Sequence, residues 1–451
     1  MKTLKLLLSI IACSALLFGC GQAAQPEETE PVPVEEMKEN PEKPESPDEQ
    51  PPVVSVVNPL KSFSPEVTGE IAATQLSELG TAYNAGANRF ALNLLPALYD
   101  NASYVASPLS LQVALSMAAA GASGETLEEM LSVLGFPGSG TAEMNLYTKS
   151  LLEQLPAVDL SVCLQLADAM IADQDFTIQE QYLSDMESYY YAPVQNMDYR
   201  QPEKVKEAVN RWCYDNTHGL IPSILDGENL ELATAYLLNA LYFKASWTTP
   251  FSSYQVYKDQ AFRIASGPIK VDYLCTKDTF DYADLDSFQM ALLPIGTKSL
   301  FNSAILLPKD DNGLEALLNG IGNVSWPELL AQTQKRELSL HLPKFAISSS
   351  FKLKSVLKDM GMVRAFNDVY AQFDKIFDNE VCYISEVLQK SRIVLDEGGI
   401  EAASVTDVEI GVTDAGPDDD EPVYFHADHP FVFIITEKSS GTILFIGVFQ
   451  G

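Results

Sequence analysis

The chain holds four histidines, His218, His341, His426 and His429, and they are the first place to look for acid–base or metal chemistry. None lies in a His-Glu-x-x-His pair, and no Gly-x-Ser-x-Gly elbow, phosphate loop or dinucleotide fingerprint occurs anywhere. His426 and His429 are close enough in sequence to suggest a metal, yet no third ligand stands at a suitable spacing. The acidic run Asp418 to Glu421 lacks the spacing of a calcium loop and reads as solvated charge. Of six cysteines, Cys13 and Cys20 fall in the leader; Cys163, Cys213, Cys275 and Cys382 are far apart and read as buried free thiols rather than a disulfide framework. No cofactor and no enzyme emerge from these residues.

A different chemistry is open to a chain with no catalytic group: it can be the peptide on which another protein acts. From Ile400 to Val412 the even positions are Ile400, Ala402, Ser404, Thr406, Val408, Ile410 and Val412, all apolar or small, and the charges Glu401, Asp407 and Glu409 are all odd. That is the two-residue period of a strand with one dry face. The flanks are loop-like: Gly398 and Gly399 on one side, and Ala415 to Pro422 with its turn-forming residues on the other. Taken alone, the stretch is equally an edge strand or one arm of a hairpin. Its surroundings decide the reading.

The elements that must hold it follow in order. Ser107 caps a helix with Pro108 at its first position, and Gly121 closes it; the helix is apolar nearly all round, as a buried helix is. Thr126 to Glu129 reads as a capping box opening the next helix, which Gly135 ends. LSVCLQLADAMIADQDF reads as a long strand, and Pro202 to Leu225 as an amphipathic helix stopped by Gly219. Thr234 to Phe251 is a near-continuous apolar strand, expected to be buried on both faces. Asn239 inside it must find hydrogen-bond partners or cost a few kcal/mol. Ile384 to Gly399 is the strand that feeds the patterned loop, and Phe425 to Phe449 is two hydrophobic strands around a Ser-Ser-Gly turn.

From roughly Ala87 to Gly451 this arrangement resembles the serpins. The resemblance rests on Ser107-Pro108-Leu109-Ser110 and the Gly-Ala-x-Gly-Glu-Thr turn, on Asn239 and Trp247, on the hinge Glu397, Gly398, Gly399, Ile400, Glu401, Ala402, Ala403, Ser404, and on Phe425, Asp428, His429, Pro430, Phe431. It implies an α+β fold with a large mixed β-sheet, helices, a C-terminal barrel-like sheet region and an exposed reactive loop. It also implies that Ser107, Ser110, Asn239, Trp247 and Gln389 lie where the main sheet opens. Many serpins have His where this chain has Gln389, and an amide can still donate and accept there. Ile400 replaces the usual Thr or Ser at the hinge; its bulk is expected to slow the first step of insertion.

By the same resemblance the function expected is a suicide-substrate inhibitor of serine proteases. Counting from the hinge puts the reactive bond at Thr413-Asp414, and the alternation fails at the same point because Asp414 is a charge on the inward parity. Thr413 suits a small, apolar primary pocket of the elastase type. A non-inhibitory serpin acting as a surface binding or carrier protein is the alternative, with a tethered adhesin or substrate-binding lipoprotein behind it.

The formal charge of −33 argues against nucleic acid or anionic membrane as partners and favours basic proteins; with the resemblance, Asp418 to Glu421 just downstream of the reactive bond would steer a cationic protease. Residues 1–20 have the layout of an export signal, with Lys2 and Lys5 before an apolar run from Leu6 to Phe18. The ending Leu17-Phe18-Gly19-Cys20 resembles a bacterial lipoprotein box with Cys20 lipidated; a plain signal peptide cut elsewhere is the alternative. Residues 21–65, rich in Pro and Glu, read as a semi-extended tether, and 66–451 as the folded domain. The expectation is thus a monomer, exported and held by lipid on the outer face of a bacterial membrane or cell surface.

Overall fold

The computed structural model describes residues 6–13, 81–225, 235–377, 382–400 and 421–451. Ala402, Ala403, Ser404, Thr413, Asp414 and Cys20, with the whole tether 21–65, lie outside the described residues.

Among the described residues the elements run as follows. Strand β1 (Leu6–Cys13) is followed by helix α1 (Thr81–Leu98), β2 (Tyr104–Ala106), α2 (Pro108–Ala120), α3 (Gly124–Leu134) and α4 (Thr141–Gln154). Next come β3 (Cys163–Asp173), α5 (Glu180–Tyr190), β4 (Val194–Met197), α6 (Pro202–Asn216) and β5 (Ala235–Ser246). Strands β6 (Val256–Phe262), β7 (Ile269–Asp284), β8 (Phe288–Ile295) and β9 (Phe301–Pro308) lead to α7 (Leu314–Ile321) and α8 (Trp326–Leu330). The chain continues through β10 (Gln334–Pro343), β11 (Phe345–Lys352), α9 (Lys354–Asp359), β12 (Cys382–Leu395) and β13 (Gly399–Ile400). It closes with β14 (Val423–His426), β15 (Phe431–Glu437) and β16 (Ile443–Phe449).

Two sheets result. The first runs β4-β3-β5, then a slot, then β12-β11; β13 enters the slot at one end and β1 lies along the rest of it. The second runs β14-β10-β7-β8-β9-β15-β16-β2, with β6 also on β7. Helix α2 sits between them, touching β5 and β16. All its residues are buried, which is why it has no polar face. Ser107 caps it by accepting from Ser110 N, and Pro108 fills the first helical position, where a missing N–H costs nothing.

Strand β5 is buried from Ala235 to Phe243 on both faces, as its continuous apolar run predicts. Its odd residues, Ala235, Leu237, Leu241, Phe243 and Ala245, join the main core with α2. Its even residues Tyr236, Leu238 and Ala240 pack against Val205, Val209 and Trp212 of α6 in a second cluster. This alternation divides the sheet into two faces, and it becomes the yardstick for the loop.

Two expectations fail here. Helix α3 begins at Gly124 behind Ser123, so Thr126 to Glu129 is not a capping box. Thr126 Oγ1 instead accepts from Gln372 N, Glu129 accepts from Val363 N and Arg364 N, and Ser123 Oγ donates to Asp374. Each polar group that might have closed the turn locally is spent on the 363–374 segment. Cys213, Cys275 and Cys382 are buried as expected, but Cys163, at the start of β3, is exposed.

Candidate functional site: a strand-wide slot and its hinge

Strand β12 delivers the chain to the top of the slot. There Asp396 turns it back, its carboxylate accepting from Gly398 N at 2.9 Å and Gly399 N at 3.3 Å. Burial pushes the Asp396 carboxyl up, outweighing these bonds. Trp247 clamps the turn from β5: its indole N–H donates to Asp396 O at 2.8 Å and its backbone N–H to Gly398 O at 3.1 Å. Glu397 forms an ion pair with Lys344. Burial raises the Glu397 carboxyl, but the bond and charge of Lys344 outweigh that and hold it below its ordinary range.

Gly399 is required where it stands. Its φ of 151° is outside the range of ordinary side chains, and an added Cβ would sit 2.2 Å from Ala245 O. With Gly399 this close, Ile400 pairs antiparallel with Leu395 on one wall and Ala245 on the other. Ile400 is 2% exposed and joins the main core. Ile400, the first even position of the patterned stretch, thus faces inward. Beyond Ile400 the slot continues as a narrow cavity between Leu241 and Phe243 of β5 and Ile393 of β12.

Halfway down, Asn239 and Gln389 face each other across the slot in one row, since both pair with the same residue of β1, Ala12. The first turn of α2 lies beneath them. Gln389 Nε2 donates to Ser107 O at 2.8 Å while its Oε1 accepts from Ser107 N at 3.2 Å, so the amide donates and accepts as expected. The Ser107 hydroxyl donates to Leu444 O at 2.9 Å, tying this turn to the second sheet. On the other wall Ser110 Oγ donates to Asn239 Oδ1, and Asn239 Nδ2 donates to Asp168 Oδ1 on β3. The structure thus brings Ser107, Ser110, Asn239 and Gln389 together beneath the slot, and Trp247, Glu397, Gly399 and Ile400 at its top.

Three participants were not singled out from sequence: Asp168, Lys344 and Asp396. For Asp168 a clue exists in the charge set within LQLADAMIA; for Lys344, between two strands, there is none.

The family model for serpins (serine protease inhibitors) matches residues 85–450. This chain belongs to the serpin family. It is 31% identical to Iripin-2 of Ixodes ricinus over 368 residues, covering 80% of this chain and 91% of that one. With the leukocyte elastase inhibitor of Xenopus laevis the identity is 30%, over 76% of this chain and 91% of the other. Among solved structures, the native state of the thermophilic serpin tengpin superimposes with a TM-score of 0.74 at 26% identity, covering 82% of this chain and 94% of that one. Serpins are generally protease inhibitors rather than enzymes. The slot between β5 and β12 in this serpin is therefore the site to be explained.

The histidines take structural positions in this serpin. His341 and His426 stack with ring centroids 3.8 Å apart on neighbouring strands, His429 meets Pro308 O at 2.8 Å, and His218 meets Gln165 at 3.1 Å. Among the described residues no group of three or more His, Cys, Asp or Glu is placed to hold a metal.

Proposed function

We propose that this serpin is a suicide-substrate inhibitor of a cationic, elastase-like serine protease, and that it traps the protease by drawing residues 400–413 into the slot. The attacking serine hydroxyl adds to the Thr413 carbonyl; the bond to Asp414 breaks, its amine leaves with a proton, and Thr413 stays as an ester on the protease. Freed at that end, the loop can extend the strand that β13 begins.

The observation that carries this reading is the register of Ile400. In antiparallel pairing, one step forward along the loop is one step back along each wall. Starting from Ile400 opposite Leu395 and Ala245, Ala402 meets Ile393 and Phe243, Ser404 meets Ser391 and Leu241, and Thr406 meets Gln389 and Asn239. Every wall residue named is one that faces α2 or the main core, so the loop's dry face meets the dry face of the sheet. Past the bulge in β12, where the pairing skips Ser385, the count brings Val412 opposite Cys382, the first residue of β12, and Thr413 just beyond it. A cut at Thr413 thus yields a strand as long as the wall it joins.

Export fits the same picture. With the leader removed and Cys20 lipidated, residues 6–13 no longer lie in the slot, and the Pro/Glu-rich tether carries the domain on the outer face of the membrane as a monomer. No helix among the described residues is long and apolar enough to cross a membrane itself.

Incubation with a panel of serine proteases tests the reading. The expected result is an SDS-stable band joining protease to inhibitor, with release of a peptide that begins at Asp414. Cleavage without any such band would leave the non-inhibitory carrier reading in its place.

A further inference from the structure

One segment in the slot comes from the other end of the chain. Strand β1 runs between β5 and β12 and pairs in parallel with both, Leu6 to Cys13 against Cys382 to Lys390 and Leu8 to Cys13 against Ala235 to Ala240. It also lies against α2 beneath the sheet. Ala12 stands in the row of Asn239 and Gln389, midway along the slot.

Composition explains the pairing. A strand with neighbours on both edges and cover on both faces needs apolar residues on both parities. At this depth both faces of the sheet are dry: Leu237, Ile384 and Val387 belong to the main core, while Leu238, Ala240 and Leu388 share a cluster with Val209 and Trp212 of α6. The sequence of β1, Leu-Leu-Leu-Ser-Ile-Ile-Ala-Cys, carries no charge. The loop after Ile400 is apolar or small on one parity and has its charges on the other. Strand β1 is thus the better match to these rows, and each wall N–H or C=O that it satisfies is one the loop can no longer take.

Its position leaves little of the slot open. At the top, β13 sets Gly399 against Ser246 and Ile400 against Ala245 and Leu395. From the row of Lys390 and Ala240 downward, β1 fills the gap. Between the two lies the narrow cavity lined by Leu241 and Phe243 of β5 and Arg392, Ile393 and Val394 of β12. The loop can advance through that cavity, and no further while β1 remains.

We propose that β1 is a built-in lock: a chain that keeps residues 6–13 folds with its slot occupied, is cut by proteases as an ordinary substrate, and becomes an inhibitor only when a cut between Cys13 and Thr81 frees β1. This rests on the loop-insertion reading above and adds to it that trapping depends on processing at the opposite end of the chain. In the locked form the ester to the protease stays in place long enough for water to add to its carbonyl. The serine oxygen then leaves with a proton, and free protease departs from a cut inhibitor. A copy that retains its N-terminus is therefore silent toward proteases where it is made. The form that traps, and that gains melting temperature on cutting, is the one β1 has left.

The whole chain, residues 1–451, tests this beside a variant carrying Ile10→Pro and Ile11→Pro. Successive residues of a strand point their N–H groups to opposite walls, so this pair removes one donor from each ladder and changes nothing in the folded domain. Hydrogen exchange reads the lock without a protease. Amides of Leu7 to Cys13 in the wild-type chain should exchange roughly a hundredfold more slowly than in a free peptide of residues 6–13, and in the variant at the peptide's own rate. Exchange at the peptide's rate in the wild-type chain would overturn the proposal and leave the insertion reading untouched. Trapping is then compared with one protease that cuts both chains. The variant should give several-fold more SDS-stable complex per cut than wild type, and added peptide 6–13 should return it toward the wild-type yield. Equal yields from wild type and variant, with β1 protected in the wild type, would overturn the lock. No complex from either chain would instead remove the insertion reading on which the lock depends.

Discussion

The two sheets of this serpin differ in how far they have completed their pairing. In the second, β9 is matched along its length by β8 on one side and from Phe301 to Leu306 by β15 on the other, and β15 by β16; all residues of β9, β15 and β16 are buried. In the first, the facing edges of β5 and β12 are joined through β13 by Gly399 and Ile400 alone, apart from the N-terminal strand β1. Both sheets share the helix α2 and one core, so composition does not separate them. What separates them is the slot between β5 and β12, which in the proposed mechanism the patterned residues after Ile400 fill. A finished sheet can only be weakened. An unfinished one has somewhere to go.

A substitution confined to the slot's missing strand should therefore spare the uncleaved fold and abolish trapping. Ala402→Arg, which sets a charge against Phe243 and Ile393, is expected to convert inhibitor to substrate, with at least a hundredfold fewer trapped complexes per cut and an unchanged melting temperature before cutting. Retained trapping would remove the difference between the sheets. Conversely, Gly447→Ala on β16 places a Cβ 2.2 Å from the Phe433 ring and 2.4 Å from Tyr104 O. It should cost about 1–3 kcal/mol in cut and uncut protein alike, measured by denaturant unfolding. A cost in one form only would show that the second sheet also changes on cleavage.

The smallest effect belongs to the hinge. Lys344→Ala removes the partner of Glu397, an ion pair about a quarter exposed on each side. The loss in the uncut protein should be about 0.5 kcal/mol. Because Lys344 holds the Glu397 carboxyl below its ordinary range, the contribution is present above the unfolded carboxylate pKa and is lost as pH falls through the folded one. The difference between wild type and Lys344→Ala should therefore close on acidification. A gap that widens in acid would contradict the ion pair's role.

Local rules made much of this legible in the sequence. The Ser107 cap with Pro108, the strand buried on both faces around Asn239 and the inward parity of Ile400 all follow from spacing within a few residues. The failures share a cause in distant partners. Thr126 looks like half of a capping box until Gln372 N takes its hydroxyl, and no feature near Thr126 announces Gln372. Asp168 could as well have been a surface charge on an alternating strand; its burial is set by Asn239, 71 residues on, and by α5 packing over it. Gln389 is legible from sequence because an amide keeps both hydrogen-bonding functions whatever surrounds it.

The central claim is that the first sheet lacks a strand that residues 400–413 supply once cut. The most direct test is to nick the purified protein near Thr413 with a protease that releases it, and then compare melting of nicked and intact chains. Nicked protein should melt at a clearly higher temperature, because the loop has completed the sheet. A nicked chain that melts at or below the temperature of the intact one would contradict the account.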